Sequence, residues 1–409
     1  MRASSVFRSI LAICACSLGM SLAGASALAQ DVGSDVGGGA GIFRPKNPEI
    51  KKRTVRTTPV TRRGTRTTTA ASPAAEDRIN DLLEKGNQLR DERRFAEAES
   101  SYQGVFKISA KDGRAAYGLG NIYSDQQRWE EAETAYRNAA LWSPSSVDAL
   151  VALSVVLVQP RTGAGNAKRF ADAEGFARRA VQLDPKNAVA WDRLGVALQS
   201  RGLFNNETES AYRRAVELDP DFAVAYAHLA RVVKRMGRAD EAAPLYEKAT
   251  ELAKDPATLN LIAESFQAEQ QWQNSEPVLK RALDLDAKNP TALYLMGRML
   301  VVLKRYGESE PYLKQAAEVS PRAFQPINLL ARTYLALDRF EEAEVSYEKA
   351  AEVASAGDRK QLAGAYGFEG VGDGYLKSKK KPSAARAYAR ALELDPGNKQ
   401  LEQKLAKAH

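Results

Sequence analysis

The sequence predicts an all-α fold, a solenoid of antiparallel helix-turn-helix repeats. Three observations support this prediction: a pattern recurs about every 34 residues over most of the chain, apolar residues follow helical spacing, and proline follows the second predicted helix of several units. With 409 residues, 44% hydrophobic and 27% charged, the chain also has the composition of a folded soluble protein.

The first 29 residues have the order of a secretory signal peptide. Two arginines precede a short apolar run, and small residues follow it up to Ala29. We therefore expect export with cleavage after Ala29, and the bacterial periplasm or cell envelope as the location. Two alternatives remain open. The apolar run stays as an uncleaved membrane anchor, or Cys16 is the acylated residue of a lipoprotein, although the preceding residues fit a lipobox poorly.

The sequence offers little material for catalysis. Both cysteines, Cys14 and Cys16, lie in the predicted signal, which excludes a disulfide, a thiolate nucleophile and a cysteine zinc site from the mature chain. The two histidines, His228 and His409, match no catalytic or metal-binding motif. We expect a structural or solvated His228, with a catalytic role as the alternative. The sequence therefore predicts no enzyme activity, no catalytic residue, no metal, no cofactor and no small-molecule substrate.

Residues 30–75 form a predicted disordered basic arm rich in Gly, Pro, Thr and Arg. Residues 43–66 hold nine Lys or Arg and one Glu, whereas residues from 67 onward carry 48 charges of each sign. The arm either contacts an anionic envelope polymer or lipid, or is a soluble spacer. Nucleic acid is disfavoured, because Phe43 is the only aromatic residue among these charges. The candidate polyanion-binding residues are Lys51, Lys52, Arg53, Arg56, Arg62, Arg63 and Arg66.

A repeat with a period of about 34 residues extends over most of the remaining chain. A small residue recurs near the end of each predicted second helix, at successive spacings of 34, 41, 35, 34, 33, 34, 34 and 41. Each of the two long spacings exceeds the period by about two helical turns, which keeps the helix faces nearly in phase. Nine two-helix units are therefore predicted. The recurring residues are Val105, Ala139, Ala180, Ala215, Ala249, Ala282, Ala316, Ala350 and Ala391.

The residues within each unit follow a specific pattern. In the second unit they are Leu119, Gly120, Tyr123, Ala132 and Pro144, and similar sets occur in the fourth, fifth, seventh, eighth and ninth units. This pattern resembles that of the tetratricopeptide repeat family, W-x2-L-G-x2-Y followed by A-x3-F and P. The resemblance implies a right-handed superhelix of helix-turn-helix repeats whose first helices line a concave surface.

The alternation of small and large residues explains how two helices pair within a unit. Gly120 and Ala139 allow the helices to approach closely, and Tyr136 fills the space between them. Stacked units bury one continuous core, so we expect one solenoid over residues 76–398 rather than several domains. Residues 399–409 have apolar residues four apart, and we expect them to form a C-terminal capping helix at the end of the stack.

The resemblance also implies candidate binding residues on the concave surface. Asn87 and Asn121 take the position at which peptide-binding members of the family place an Asn that bonds the ligand backbone, and Arg298 takes it in a later repeat. Val301, Val302 and Leu335 are expected to add apolar contact there. The surface either captures an acidic partner segment or is a solvated inner face with balanced charges. The candidate partner-binding residues are Asn87, Asn121, Arg231, Lys234, Arg235, Tyr294, Arg298, Asn328 and Arg332.

These features together predict an exported, non-catalytic scaffold for protein-protein interaction. The main hypothesis is that repeats five to eight capture an acidic partner segment while the basic arm holds the scaffold near an anionic surface. The first alternative is an envelope-structural protein whose arm binds anionic polymer or lipid and whose repeats act as spacer or oligomerisation module. The second alternative is a scaffold that regulates an enzyme encoded on a separate chain.

Overall fold

A computed structural model describes residues 45–50, 72–159 and 165–409. Within these ranges the chain forms 20 helices and no strand, which confirms the all-α prediction. The helices pack in consecutive pairs, as the repeat pattern predicts. The predicted signal peptide of residues 1–29 and the seven candidate polyanion-binding residues of the arm lie outside the described residues.

The helices group into two compact units, which are described separately below. The amino-terminal unit lies within Val32–Leu252, and the described part of the carboxy-terminal unit is Ala253–His409. The sequence predicted one continuous solenoid. Within each unit consecutive repeats stack on their neighbours, and the continuity of the stack over residues 76–398 stays a prediction.

Five helix pairs form the described part of the amino-terminal unit, the two helices of each pair being consecutive in the chain. The helices are α1 (Pro73–Asp91), α2 (Phe95–Phe106), α3 (Gly113–Asp125), α4 (Trp129–Trp142), α5 (Val147–Leu157), α6 (Asn166–Leu183), α7 (Ala188–Ser200), α8 (Asn206–Leu218), α9 (Ala223–Arg235) and α10 (Ala239–Leu252).

Four helix pairs and two single helices form the described part of the carboxy-terminal unit. The pairs are α11 (Pro256–Ala268) with α12 (Trp272–Leu285), α13 (Pro290–Val302) with α14 (Tyr306–Val319), α15 (Phe324–Ala336) with α16 (Phe340–Val353), and α18 (Phe368–Lys377) with α19 (Lys381–Leu394). The single helices are α17 (Ala356–Gln361) and α20 (Lys399–Ala408).

The extra residues of the ninth unit form a separate short helix. The sequence predicted that they extend the repeat by two helical turns, but α17 begins anew, because the Ser355 hydroxyl accepts a hydrogen bond of 3.3 Å from the Asp358 N–H. At the end of the chain, α20 packs on α19 with Leu401 buried. The Lys404 ammonium on α20 also lies 2.7 Å from the Asp373 carboxylate on α18.

Local signals set where most helices of the repeats begin. Several first helices start at a side-chain cap: the Asp112 carboxylate accepts from the Arg114 N–H at 2.9 Å, and the Asn289 amide oxygen accepts from the Ala292 N–H at 3.0 Å. Most second helices start after a turn residue in the left-handed region, such as Gln127 with φ of 58°. For a residue other than Gly that conformation costs about 1 kcal/mol.

Glycines on the first helices bring the paired helices together. A Cβ added to Gly120 would lie 2.5 Å from the ring of Tyr136, and one added to Gly372 would lie 2.5 Å from the ring of Tyr388. Both tyrosines are fully buried. The predicted role of Gly120 and Tyr136 in close helix pairing is therefore confirmed.

Candidate functional site

Two buried tyrosines orient the two asparagines that the sequence selected. On α1 and α2 the Tyr102 hydroxyl donates to Asn87 Oδ1 at 2.7 Å. One repeat later, on α3 and α4, the Tyr136 hydroxyl donates to Asn121 Oδ1 at 2.9 Å. Burial raises the pKa of both phenols, so each hydroxyl keeps its proton and stays a donor. With both amide oxygens engaged, each asparagine directs its N–H groups elsewhere.

The asparagine N–H groups bind the chain's own segment of residues 45–50. Asn121 Nδ2 donates to the Lys46 carbonyl at 2.8 Å, and Asn87 Nδ2 donates to the Pro48 carbonyl at 3.1 Å. The two carbonyls are two residues apart, and in an extended chain such residues lie on the same side. Equivalent side chains of consecutive repeats therefore bind alternate carbonyls of one segment.

Arg90 on α1 completes the contact with this segment. Its side chain is 1% exposed and binds the Asp125 carboxylate through two hydrogen bonds of 2.7 and 3.0 Å. Burial acts to lower the pKa of Arg90, but the contact with Asp125 outweighs it and the pKa is raised. The remaining guanidinium nitrogen, Nη1, donates to the Pro45 carbonyl at 2.8 Å and to Asn47 Oδ1 at 2.9 Å.

A carboxylate holds the other end of the Asn47 side chain, because Asn47 Nδ2 donates to Asp91 Oδ2 at 2.9 Å. Lys46 is exposed, and its positive charge interacts electrostatically with the Asp148 carboxylate on α5. Burial raises the pKa of Asp148, and the positive charge of Lys46 partly offsets this effect. We call the residues that hold the segment the amino-terminal site: Asn87, Arg90, Asp91, Asn121 and Asp125.

The sequence assigned residues 30–75 to a disordered arm, but the structure differs at two places. Residues 45–50 lie against the repeats, and residues 73–75 already belong to α1. Composition alone did not reveal the docking, because the entropy of ordering the segment is offset by bonds to residues of a distant part of the chain. The available signal was the recurrence of Asn87 and Asn121 at a spacing of 34 residues, but nothing in the sequence identified residues 45–50 as their partner.

Three further candidates lie on α9, near its C-terminal end. Arg235 is exposed, and its guanidinium lies 5.4 Å from the ring centroid of Phe204. Arg231 is half-buried, and among the described residues its Nε has no hydrogen-bond partner. Lys234 follows on the same helix. The sequence grouped these residues with those of repeats seven and eight in one groove; in the structure they belong to the amino-terminal unit, and the shared groove stays a prediction.

The carboxy-terminal unit carries the other four candidates on α13 and α15. Tyr294 and Arg298 are four residues apart on α13, with the guanidinium 5.7 Å from the ring centroid. Asn328 and Arg332 have the same spacing on α15, one repeat later. Positions four apart on a helix share a face, so the two pairs recur at equivalent places on neighbouring first helices. We call these four residues the carboxy-terminal patch.

The side chains of the patch are held in place by their neighbours. Arg298 Nε donates to Gln267 Oε1 at 2.9 Å, and Gln267 is buried. The guanidinium of Arg332 lies 5.1 Å from the ring centroid of Tyr366, which is 58% exposed. Asn328 Oδ1 is buried and, within the described residues, has no hydrogen-bond partner. An acceptor left in that state is costly, and a bound donor would satisfy it.

The expected apolar contribution of Val301 is wrong. Val301 is 8% exposed and belongs to the hydrophobic core together with Leu313, because its position on α13 faces the paired helix α14. Val302 is half-buried. Leu335, which the sequence also selected, packs against the same core and is half-buried.

His228 belongs to a buried polar cluster, which the sequence did not reveal. Its Nδ1 lies 2.8 Å from Asp192 Oδ1, and its ring packs against Tyr212 at a centroid distance of 5.3 Å. Burial acts to raise the pKa of Asp192, but the charges of Arg193 and His228 outweigh it and the pKa is lowered. The cluster joins α7, α8 and α9 and has the geometry of a structural contact.

Within residues 45–50, 72–159 and 165–409, no three or more His, Cys, Asp or Glu side chains are grouped so that they could hold a metal ion. None of the helices described there has the length and apolarity needed to span a membrane.

Four parts of the chain match family models that are each described as tetratricopeptide repeat. The matched residues are 89–158, 225–259, 260–326 and 325–356. No curated protein sequence matches the chain. The matches fall in both compact units.

Solved structures of tetratricopeptide proteins are similar to this chain. Yeast Tom70 is 16% identical, with a TM-score of 0.54, over 91% of this chain and 72% of Tom70. MamA from Desulfovibrio magneticus RS-1 is 20% identical, with a TM-score of 0.37, over 43% of this chain and 95% of MamA. TTC0263 from Thermus thermophilus is 23% identical, with a TM-score of 0.39, over 47% of this chain and 99% of TTC0263. The paired helices, the recurring residues and the family matches establish that this chain is a tetratricopeptide repeat protein.

Proposed function

We propose that this protein is an exported, non-catalytic scaffold that binds a segment of a partner protein on the surface formed by its first helices. The observation that carries the proposal is the carboxy-terminal patch. Two arginines recur there at equivalent positions of neighbouring repeats, each beside an aromatic ring. The patch also contains Asn328, whose buried amide oxygen has no hydrogen-bond partner among the described residues.

The chemistry of the patch favours an acidic partner segment. Arg guanidinium groups bind carboxylates through paired hydrogen bonds, and packing against Tyr294 and Tyr366 reduces the side-chain entropy that binding would cost. Asn328 Oδ1 would accept a backbone N–H of the bound segment. Half-buried Leu335 supplies apolar contact that sets the register of the segment.

The proposed place of action is the bacterial periplasm or cell envelope. It follows from the order of residues 1–29, in which basic residues, an apolar run and small residues precede the cleavage position after Ala29. In this proposal the basic arm keeps the scaffold near an anionic polymer or lipid surface. The repeats then hold the partner at that surface.

A second candidate function places the binding activity in the arm. Residues 51–66 contain seven Lys or Arg and no Asp or Glu, a charge density suited to anionic polymer or lipid. In that case the protein is an envelope-structural component, and the repeats act as spacer or oligomerisation module.

Cross-linking capture from envelope extract distinguishes the two functions. The baits are the chain of residues 30–409, a variant with Arg298→Glu and Arg332→Glu, and a variant with all seven arm cations changed to Gln. Arg322→Glu is the matched control, because Arg322 is exposed in the turn before α15 and outside the patch. We expect one discrete protein that is lost only with the Arg298 and Arg332 changes. Its acidic segment, made as a peptide, should then bind the purified wild-type chain and not the patch variant.

Two outcomes would overturn the proposal. Capture that follows the arm cations, is steeply weakened by salt and ignores the patch would favour the envelope-structural function. Equal loss in the Arg322→Glu control would show that the capture reports net charge and not the patch.

A further inference from the structure

The amino-terminal site is already filled by part of its own chain. We propose that residues 45–50 are a built-in ligand of this site, which recognises a Pro-X-Asn-Pro segment, and that an external segment of the same chemistry must displace them in order to bind. The inference rests on the proposed function only in treating the first-helix surface as a binding surface. It concerns the amino-terminal unit, whereas the patch lies in the other unit.

The site binds the backbone of the segment through three carbonyl groups. Arg90, Asn121 and Asn87 donate to the carbonyls of residues 45, 46 and 48 at 2.8, 2.8 and 3.1 Å. Donors on two consecutive first helices thus bind one short stretch of chain. Backbone bonds of this kind fix the direction and the register of a segment but do not select its side chains.

Selectivity comes from Asn47, because both ends of its amide are bound. Its Oδ1 accepts from Arg90 and its Nδ2 donates to Asp91, each at 2.9 Å. An Asp at this place would put its negative charge against Asp91, and an Ala would lose both bonds. Arg90 is itself fixed by Asp125, so the pair is organised before the segment arrives.

The two prolines suit the buried positions of the segment. Pro45 and Pro48 are buried, whereas Lys46 and Glu49 are exposed. Proline has no N–H group, so its burial leaves no unpaired donor, and its fixed φ lowers the entropy lost on docking. The pattern of buried proline, exposed residue, bound Asn and buried proline defines the ligand class.

Chain connectivity makes the built-in ligand a strong competitor. Only the short stretch 51–71 connects Ile50 to Ser72 at the start of α1. A ligand on such a short connection has an effective concentration on the order of millimolar. An external segment therefore binds with an apparent affinity reduced by the fraction of sites that the chain's own segment occupies.

Fluorescence anisotropy with a labelled peptide of the sequence Pro-Lys-Asn-Pro-Glu-Ile tests the proposal. The peptide is titrated with the chain of residues 30–409 as wild type, Asn47→Ala and Glu49→Gln. We expect Asn47→Ala to bind the peptide about tenfold more tightly than wild type, because its own segment no longer competes well. Glu49→Gln is the matched control in the same segment and should bind as wild type does, since Glu49 is exposed.

A second variant tests whether the peptide occupies the same site. Asn87→Asp keeps an oxygen that accepts from the Tyr102 hydroxyl but replaces the donor to the Pro48 carbonyl by a negative charge. Added to Asn47→Ala, it should weaken peptide binding at least about tenfold, as expected for a lost bond plus repulsion. Thermal melting confirms that the variant is folded.

Three results would overturn the inference. Wild type and Asn47→Ala bind the peptide equally or not at all, Asn87→Asp leaves binding unchanged, or sedimentation shows that wild type is a dimer that Asn47→Ala dissociates. The last result would mean that the segment docks on a second copy. None of these results involves Arg298 or Arg332, so failure here is distinct from failure of the proposed function.

Discussion

The amino-terminal site and the carboxy-terminal patch use the same position of the repeat in different ways. Asn121 and Arg298 each directly follow a glycine of a first helix, Gly120 and Gly297 respectively. In both repeats a side chain of the second helix packs on that glycine. In the second repeat that side chain is Tyr136, and its hydroxyl turns the asparagine amide toward a backbone carbonyl.

In the seventh repeat Leu313 occupies the equivalent place and has no hydroxyl. Arg298 is instead oriented by the buried Gln267 of the preceding repeat and by Tyr294 on its own helix. The comparison shows that equivalent positions of the repeat carry side chains of different chemistry, and that the residue packed on the preceding glycine affects how each side chain is oriented.

Among the changes considered, removal of the Arg90 side chain should cause the largest loss of unfolding free energy, and this loss is specific to the amino-terminal site. Arg90→Ala leaves Asp125 without its buried partner, which costs about 3 kcal/mol of unfolding free energy, and it also releases residues 45–50. Urea unfolding followed by circular dichroism measures the loss. Arg94→Ala, which removes exposed pairs with Glu92 and Glu97, is the control and should cost much less. Equal losses in both variants would contradict the assigned role of Arg90.

A methyl group on the glycine of each region tests how firmly the residue behind it is packed. Gly120→Ala would force a Cβ to within 2.5 Å of the rigid Tyr136 ring and should cost about 2 kcal/mol of unfolding free energy. Gly297→Ala meets the more flexible Leu313 and should cost less, about 1 kcal/mol.

Gly175 on α6 is the matched control for these two changes, because nothing lies within 4 Å of its added Cβ. Gly175→Ala should stabilise the helix by about 0.5 kcal/mol. Urea unfolding of the three variants gives the ranking, and a larger loss at Gly297 than at Gly120 would refute it.

Acid should weaken the amino-terminal unit through its buried histidine cluster. The pKa of Asp192 is lower in the folded chain than in the unfolded chain, where it is about 4. The stabilising contribution of the ionised carboxylate is therefore present above about pH 4 and is lost as the pH falls below it. Hydrogen exchange of α7 to α9 between about pH 5 and pH 3 should show this loss. Asp192→Asn should lower stability at neutral pH and flatten the dependence on pH.

Substitutions in the turns between paired helices should change the stability least, and by the same amount in both units. Gln127 and Lys304 each adopt a positive φ, of 58° and 60°, at the turn between paired helices. Gly has no Cβ to oppose this conformation but is more flexible in the unfolded chain, so either change to Gly should stabilise the protein by only about 0.5 kcal/mol. Differential scanning calorimetry measures the shift. Opposite signs at the two positions would show that the turns are not locally determined.

The sequence by itself determined the repeat, its two-helix units and the residues that pair the helices. These features depend on contacts between residues close together in the chain, such as Gly120 with Tyr136, so a periodic pattern records them. The resemblance to the repeat family also pointed to Asn87 and Asn121, which in the structure donate to carbonyls of the chain's own residues 46 and 48; their role in binding a partner stays a prediction.

Only the tertiary structure decided which groups the asparagine N–H groups bind and which charged side chains pair with each other. Asn121 meets the Lys46 carbonyl across 75 residues of sequence, and Arg90 meets Asp125 across 35. The burial of Val301 against α14 likewise depends on packing between whole helices. Composition indicated disorder for residues 45–50, because the bonds that offset their ordering entropy come from repeats that exist only once the helices have stacked.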